Sequence, residues 1–419
     1  MRARPPGALI SPDNLTTVTS RPLHAVLLGR QAAARRLLEL LPAALDGTGP
    51  ALLPLDPGLP PARLAALVEA FAPSVIETAD GRHEPAAAAA PGGPGAAGVA
   101  DQTAVVIATS GSTGRPKGAE LSGAALLASA RASLARIGAG PGQRWLCCLP
   151  VFHMAGLGVL VRSLLAGADP VVAGRADAQA LAASGCAHVS LVPTQLRRLL
   201  DARGPVSAPR TILLGGAAPP PGLTAEAAAA GARVVTTYGM SETCGGCVYD
   251  GVPLDGVAFR IGGGGLIELS GPVLFSGYRL DPAATAAALS GGWFTTADLG
   301  MAGPDGRLVV RGRTADVITT GGEKVVAAEV EAVLAGCAGV REVAVVGTPD
   351  AEWGERVTAL VVPADAAAPP PLPALRAHVA ARLPGYAAPR ALVLVGDIPM
   401  LASGKPDRLR LRALAAAAR

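Results

Sequence analysis

Aromatic residues are scarce in this chain: Phe, Trp and Tyr together make up 3% of its 419 residues. A core must therefore be built from aliphatic side chains, and half of all residues are hydrophobic. Charge is sparse too, at 16% of residues with a formal net charge of +4. No run of Lys and Arg marks a nucleic-acid footprint, so no nucleic-acid partner is expected. No uninterrupted apolar stretch of about 18 residues occurs, so no membrane span is expected. The N-terminal Met-Arg-Ala-Arg-Pro-Pro has charge without an apolar run behind it and does not read as a signal peptide. A cytoplasmic protein is the expectation. The cysteines are Cys147, Cys148, Cys186, Cys244, Cys247 and Cys337, too thin a set for the disulfide framework of a small secreted domain.

What is present is length, more than one ordinary core needs, so two or more domains are expected. Ala, Gly and Pro are heavily used, a bias that says little about function. Residues 1–100 carry few signals, and 85–100, almost all Ala, Pro and Gly, read as a linker or long loop. At Thr103 the texture changes. Residues 103–108 read as a buried strand, 109–118 as a polar glycine loop, and Ser122 as the cap of a helix with Leu127, Ala130, Leu134 and Ile137 on one face. Strands at 188–192, 211–214 and 233–237 alternate with helices at 194–201 and 224–230. This alternation predicts an α/β domain of layered sheets and helices with much parallel sheet. Beyond Ile261, strands at 266–269 and 306–311 and the turn at Pro304-Asp305-Gly306 predict a smaller β-rich part. From Asp316 a separate α+β unit is expected, with helices at 327–334 and 375–383 and strands at 342–346 and 357–362. The boundary is placed so that 1–313 form a large N-terminal domain and 314–419 a small mobile C-terminal one.

The strongest chemical signal is Thr109-Ser-Gly-Ser-Thr-Gly-Arg-Pro-Lys-Gly118. Its glycines let backbone approach an anion, its hydroxyls donate, and Lys117 adds charge, as a polyphosphate cradle requires. Pro116 stands before the lysine, so this is not a Walker A loop. The string resembles the phosphate-binding signature of the acyl-adenylate-forming superfamily, which holds acyl-CoA synthetases, adenylation domains and luciferases. Four further stretches follow in the family's order. Tyr238-Gly-Met-Ser-Glu-Thr243 is similar to its aromatic-Gly-x-x-Glu motif, and Thr296-Ala-Asp-Leu-Gly300 to its Thr-Gly-Asp-Leu-Gly motif, with Ala297 where Gly is usual. Arg311-Gly-Arg-Thr-Ala-Asp316 is similar to the domain-junction motif, and Ser403-Gly-Lys-Pro-Asp-Arg408 to the C-terminal lysine motif. The resemblance spans roughly residues 100–410.

The residue types suit what the resemblance implies, which is ATP, Mg²⁺ and coenzyme A as cofactors. Thr109, Ser110, Gly111, Ser112, Thr113, Gly114 and Lys117 would cradle phosphates. Tyr238 offers a ring to adenine, with Gly216 and Ala217 leaving a flat slot beside it. Asp298 can accept from ribose hydroxyls and Arg313 can donate to sugar or phosphate. Glu242 is a hard oxygen ligand for Mg²⁺, and Thr243 beside it belongs to the same catalytic motif. By resemblance, Lys405 swings in to bridge the acyl carboxylate and the α-phosphate. The C-terminal domain then rotates and brings Gly321-Gly-Glu-Lys324 to the thiol tunnel. The hinge position, usually Asp or Lys, is Ala315.

The acyl pocket is expected from Phe152-His153-Met154, from Ser190 to Gln195, including Ser190 and Thr194, and from the backbone at Gly239. His153 can gate the pocket or be a satisfied core histidine. Residues 190–200, 213–218 and 244–251 resemble the o-succinylbenzoate–CoA ligases of menaquinone biosynthesis, in their actinobacterial form. Such a substrate is an aromatic dicarboxylate whose second carboxylate needs a cation. Arg198 or Arg197 can supply it, or both can form the polar face of their helix. Alternatives within the class are another acyl- or aryl-CoA synthetase and a stand-alone adenylation enzyme; outside it, a non-catalytic adenylate-binding regulator. Cys244-Gly-Gly-Cys247 has redox or metal spacing, or is a loop beside the pocket. Homo-oligomerisation is left open.

Overall fold

A computed structural model describes residues 20–84, 98–109, 116–401 and 406–418. Four sheets organise them. The first has eight strands, in the order Gly277–Tyr278, Lys117–Ser122, Thr103–Thr109, Ala51–Pro54, Ser20–Val26, Val75–Thr78 and Gly81–His83, with Gly98–Ala100 pairing beside Ser20. The second has seven, of which Val171–Val172, Trp145–Cys147, His188–Leu191, Thr211–Leu214 and Val234–Met240 run parallel. Gly245–Tyr249 and Val252–Pro253 close its edge antiparallel.

Helices Arg30–Leu45, Gly123–Ile137 and Met154–Ala166 share one buried cluster with residues of both sheets, among them Leu37, Leu41, Val105, Ile107, Leu121, Leu126, Leu157 and Trp145. These helices form where the sequence permits close approach. Ser122 caps the second by accepting from the Ala125 amide. A Cβ at Gly123 would lie 2.1 Å from the Leu45 carbonyl oxygen, so only glycine lets the first two helices meet there.

The third sheet, of five strands, is the β-rich part expected after Ile261. The fourth, also of five strands, is made wholly of residues after Asp316 and has its own core around Val330, Leu334, Val357, Ala359 and Leu375. The fold is thus mixed α/β, with a large N-terminal and a small C-terminal part. Between them lies the 3₁₀ turn Thr314–Asp316. Ala315 brings no side-chain charge to it, but its carbonyl accepts from Arg412, and the next residue, Asp316, pairs with Arg408 at 3.6 Å.

Most elements match the expectations within two or three residues. Thr211–Leu214 and Ala327–Leu334 coincide with them. The strand expected at 233–237 runs on to Met240, and that at 342–346 extends over Val340–Asp350. The long loop expected at 85–100 ends earlier, since Gly98–Ala100 is a strand; 85–97 lie outside the described residues.

One strand joins distant stretches. Gly277–Tyr278 pairs with Lys117–Ser122, at the end of the first sheet's order. The next residue, Arg279, is buried and donates to the carbonyls of Phe71 and Gly98, and pairs with Glu120 at 3.4 Å.

Candidate active site

Three of the expected site segments follow the carboxyl ends of parallel strands, where open α/β sheets leave their crevice. Phe152-His153 follows Trp145–Cys147, Gly216-Ala217 follows Thr211–Leu214, and the segment 238–243 ends Val234–Met240. That last turn is tight. A Cβ at Gly239 would lie 2.0 Å from the Gly245 carbonyl oxygen, so the backbone can double back only with glycine there.

Three expected residues meet within hydrogen-bond distance. Asp298 is buried; it accepts from the Tyr238 hydroxyl at 3.0 Å and from Arg313 Nε at 2.9 Å. Burial, and then the charge of Asp298, push the Tyr238 phenol upward, so it stays a donor. Thr296 aims the carboxylate's backbone: its hydroxyl donates to the Ile267 carbonyl and accepts from the Asp298 amide at 3.1 Å. Ala297 is exposed, and its carbonyl accepts from Thr314, so the departure from Gly closes nothing. The arrangement gives a ring, a carboxylate and a guanidinium side by side, as a nucleoside needs.

Glu242 accepts from the hydroxyl of Tyr278 at 2.9 Å, and Lys117 Nζ lies 4.8 Å from the centre of the same ring. No pattern in the sequence marked Tyr278. Thr109, at the other end of the phosphate string, donates from its hydroxyl to the Lys117 carbonyl. Ser110, Gly111, Ser112, Thr113, Gly114 and Lys405 lie outside the described residues. Among the described residues no three His, Cys, Asp or Glu gather as a metal cage. A single carboxylate suits Mg²⁺, which is held mainly through substrate phosphates and water.

Thr243 is placed differently from its expected catalytic role. It is fully buried, and its hydroxyl accepts from the Met240 amide at 2.9 Å and donates to the Gly245 carbonyl at 2.7 Å. It pins the turn that carries Glu242. Thr243→Val should therefore lower stability by about 1–3 kcal/mol by leaving that amide without its acceptor. A thermal melt reads this, and an unchanged Tm would show that the turn is held otherwise.

The acyl side needs more correction. His153 is exposed at the N-terminus of helix Met154–Ala166, so it is not a core histidine. Arg197 is taken by Glu226 at 2.8 Å and Asp201 at 3.2 Å, which makes it the polar face of its helix. Arg198 is exposed, and Thr194 is half-buried in the first turn of that helix. Cys244 and Cys247 are buried; burial pushes the Cys247 thiol up to about 12 and that of Cys244 higher still, which leaves both unreactive.

Ser190 is buried, and its hydroxyl accepts from Arg162, 3.1 Å away, a residue that sequence reasoning missed. Arg162 lies over the Trp145 ring, 4.5 Å from its centre, and Trp145 packs on His188 at 4.8 Å. Its Nε is enclosed without a hydrogen-bond partner, and no carboxylate among the described residues pairs with it. Burial lowers its pKa, yet an arginine stays charged. His188 brings no second charge: burial, then Arg162, Arg210 and Arg233, push it down to about 4. Arg162 as a whole is half-buried, but the enclosed side of its guanidinium has no counter-ion, which is costly. A ligand carboxylate would answer it. The missed signal was a lone Arg in the otherwise uncharged helix Met154–Ala166, where no polar face can hold it.

Comparison with known proteins identifies the family. Residues 43–267 match the family model of AMP-binding enzymes, and 329–405 match that of the AMP-binding enzyme C-terminal domain. A probable 2-succinylbenzoate–CoA ligase of Mycobacterium tuberculosis (strain ATCC 25618 / H37Rv) is 46% identical over 325 residues, 74% of this chain and 84% of the relative. A 2-succinylbenzoate–CoA ligase of Bacillus pumilus is 34% identical over 338 residues, 74% of this chain and 69% of its own. Among solved structures, the o-succinylbenzoate CoA synthetase of Bacillus subtilis in complex with its acyl-adenylate intermediate superposes with a TM-score of 0.79 at 27% identity, covering 94% of this chain and 89% of the other. The same enzyme with ATP and magnesium ion gives 0.77 at 26% identity, covering 94% and 90%.

Proposed function

This chain belongs to the AMP-binding enzyme family, and from that premise we propose that it joins o-succinylbenzoate to coenzyme A with ATP, the ligase step of menaquinone biosynthesis. The observation that carries the choice of acid is Arg162 beside Ser190, a half-buried cation whose enclosed Nε has no partner and which no carboxylate among the described residues pairs with. A dicarboxylate would place its non-reacting carboxylate there and leave the other for ATP.

In the first half-reaction a carboxylate oxygen attacks the α-phosphorus. The bond from that phosphorus to the bridging oxygen of the β-phosphate breaks, and pyrophosphate leaves. No general base is needed, since the nucleophile is already ionised. Tyr238, Asp298 and Arg313 hold the nucleoside, and Lys117 faces the phosphates. Glu242 would hold Mg²⁺, which supplies charge neutralisation to the leaving pyrophosphate. Lys405 would stabilise the charge gathering between acid and α-phosphate. In the second half-reaction the sulfur of coenzyme A attacks the acyl carbon and AMP leaves with the electron pair of the broken anhydride bond. Residues 314–419 would rotate as a unit at Thr314–Asp316 between the halves, a hinge needing only a few permissive dihedrals. Gly321 and Gly322, both at positive φ, close the hairpin before Glu323–Val326 that would then meet the thiol.

The deciding experiment is pyrophosphate release with Mg²⁺ and ATP across o-succinylbenzoate, benzoate, a coumarate, a medium-chain fatty acid and amino acids, with and without coenzyme A. Release with o-succinylbenzoate and a thioester product is expected. Release with a monocarboxylic acid alone would keep adenylation and overturn the acid.

A further inference from the structure

Lys117 and Glu242 carry opposite charges and approach one side chain, yet no ion pair forms between them among the described residues. The phenol of Tyr278 separates them. Its ring faces the ammonium at 4.8 Å, and its hydroxyl donates to Glu242 Oε1 at 2.9 Å. The ring is fixed from three directions. Tyr278 pairs with Ala119 in the first sheet, its amide donates to Thr285 Oγ1 at 2.8 Å, and the Phe275 ring packs on its own at 4.9 Å. Phe275 in turn donates its amide to the Glu242 carbonyl at 2.8 Å, so the same short segment positions both ends of the contact. Without an aromatic spacer, a lysine and a glutamate at this range would fold onto each other. A polyphosphate site whose cation is neutralised in that way loses its attraction for the ligand.

We infer that Tyr278 is a positioning residue that keeps Lys117 and Glu242 from neutralising each other, so that a nucleoside triphosphate meets a free cation on one side and a free metal-binding carboxylate on the other. The inference rests on the assignment of Lys117 and Glu242 to the phosphates and the metal.

Calorimetric binding of ATP to the whole protein, with and without Mg²⁺, tests it separately from catalysis. Tyr278→Ala should weaken both metal-free and Mg²⁺-loaded ATP binding by about ten-fold or more, because Lys117 and Glu242 then pair. The added change Glu242→Gln should restore metal-free ATP binding to within about three-fold of the parent, because the competing charge is gone. A merely structural role for Tyr278 would not be rescued by a second substitution. Tyr278→Phe keeps the spacer and loses the donor. It should leave metal-free binding unchanged and weaken the Mg²⁺-loaded complex about three-fold, and it decides the matter if the alanine variant does not fold. Parent-like binding in Tyr278→Ala, or a loss that Glu242→Gln does not relieve, would overturn the inference. Glu242→Gln alone should abolish the gain in ATP affinity on adding Mg²⁺. If that gain survives, the assignment of Glu242 fails instead.

Discussion

Arg162→Met is expected to disable acid recognition and steady the fold at once. KM for o-succinylbenzoate should rise about 100-fold, because a charge-assisted contact in a desolvated site is worth on the order of 3 kcal/mol. KM for ATP should stay within about two-fold, since Arg162 touches Ser190 and Trp145 and neither the Tyr238–Asp298–Arg313 group nor Glu242. Tm should hold or rise, because methionine fills similar space without a partly enclosed charge to desolvate. Arg162→Lys should fall between, keeping the charge and losing the planar fork that lies on Trp145. Steady-state kinetics in both substrates and a thermal melt read all of this. A lowered Tm with an unchanged KM would make Arg162 a scaffold residue and take it out of the pocket.

Lys405→Ala should lower adenylation by about 10²–10³, the usual loss when one preorganised charge is removed from a developing anion. Thiolation of a supplied acyl-adenylate should change less than about three-fold, since that step needs no charge between acid and α-phosphate. Lys405→Arg should not rescue the first step, because a wide, delocalised guanidinium cannot replace a compact ammonium. Of the 36 basic residues only Lys117, Lys324 and Lys405 are lysine, and each falls in one of the stretches read as functional. Single-turnover measurement of each half-reaction separates the outcomes, and equal loss of both would sink this role for Lys405.

The residues proposed to hold the nucleotide were legible because they sit in loops that punctuate short apolar strands. Tyr238, Asp298 and Arg313 stand in three separate motifs, yet the structure joins them through one carboxylate. The inward turn of the Thr243 hydroxyl was not legible, because a motif shows which residues occur together and not which way a hydroxyl turns. Arg162, proposed for the acyl side, was hidden for a different reason. It is distinguished by its enclosed Nε and its place over the Trp145 ring, and both come from two sheets closing over a helix, which no local pattern states. Arg197 and Arg198 drew attention only because they adjoin a distinctive string. The first hundred residues gave little because Ala51–Pro54 is a four-residue strand buried on both faces, without alternation to mark it, and helix Arg30–Leu45 carries Pro42. Tyr278 lies in a two-residue strand, below what periodicity can register.

That two-residue strand also sets a timetable. Arg279 reaches Glu120 across 159 residues and the Phe71 carbonyl across 208. At a synthesis rate of about 5–20 residues per second, the edge of Lys117–Ser122 stays uncovered for roughly 8–30 s while the intervening chain emerges. An uncovered edge offers unpaired amides and carbonyls to any neighbouring chain. Nascent chains that end before Tyr278 should therefore be the aggregation-prone ones, and those that pass Arg279 should close the first sheet and escape.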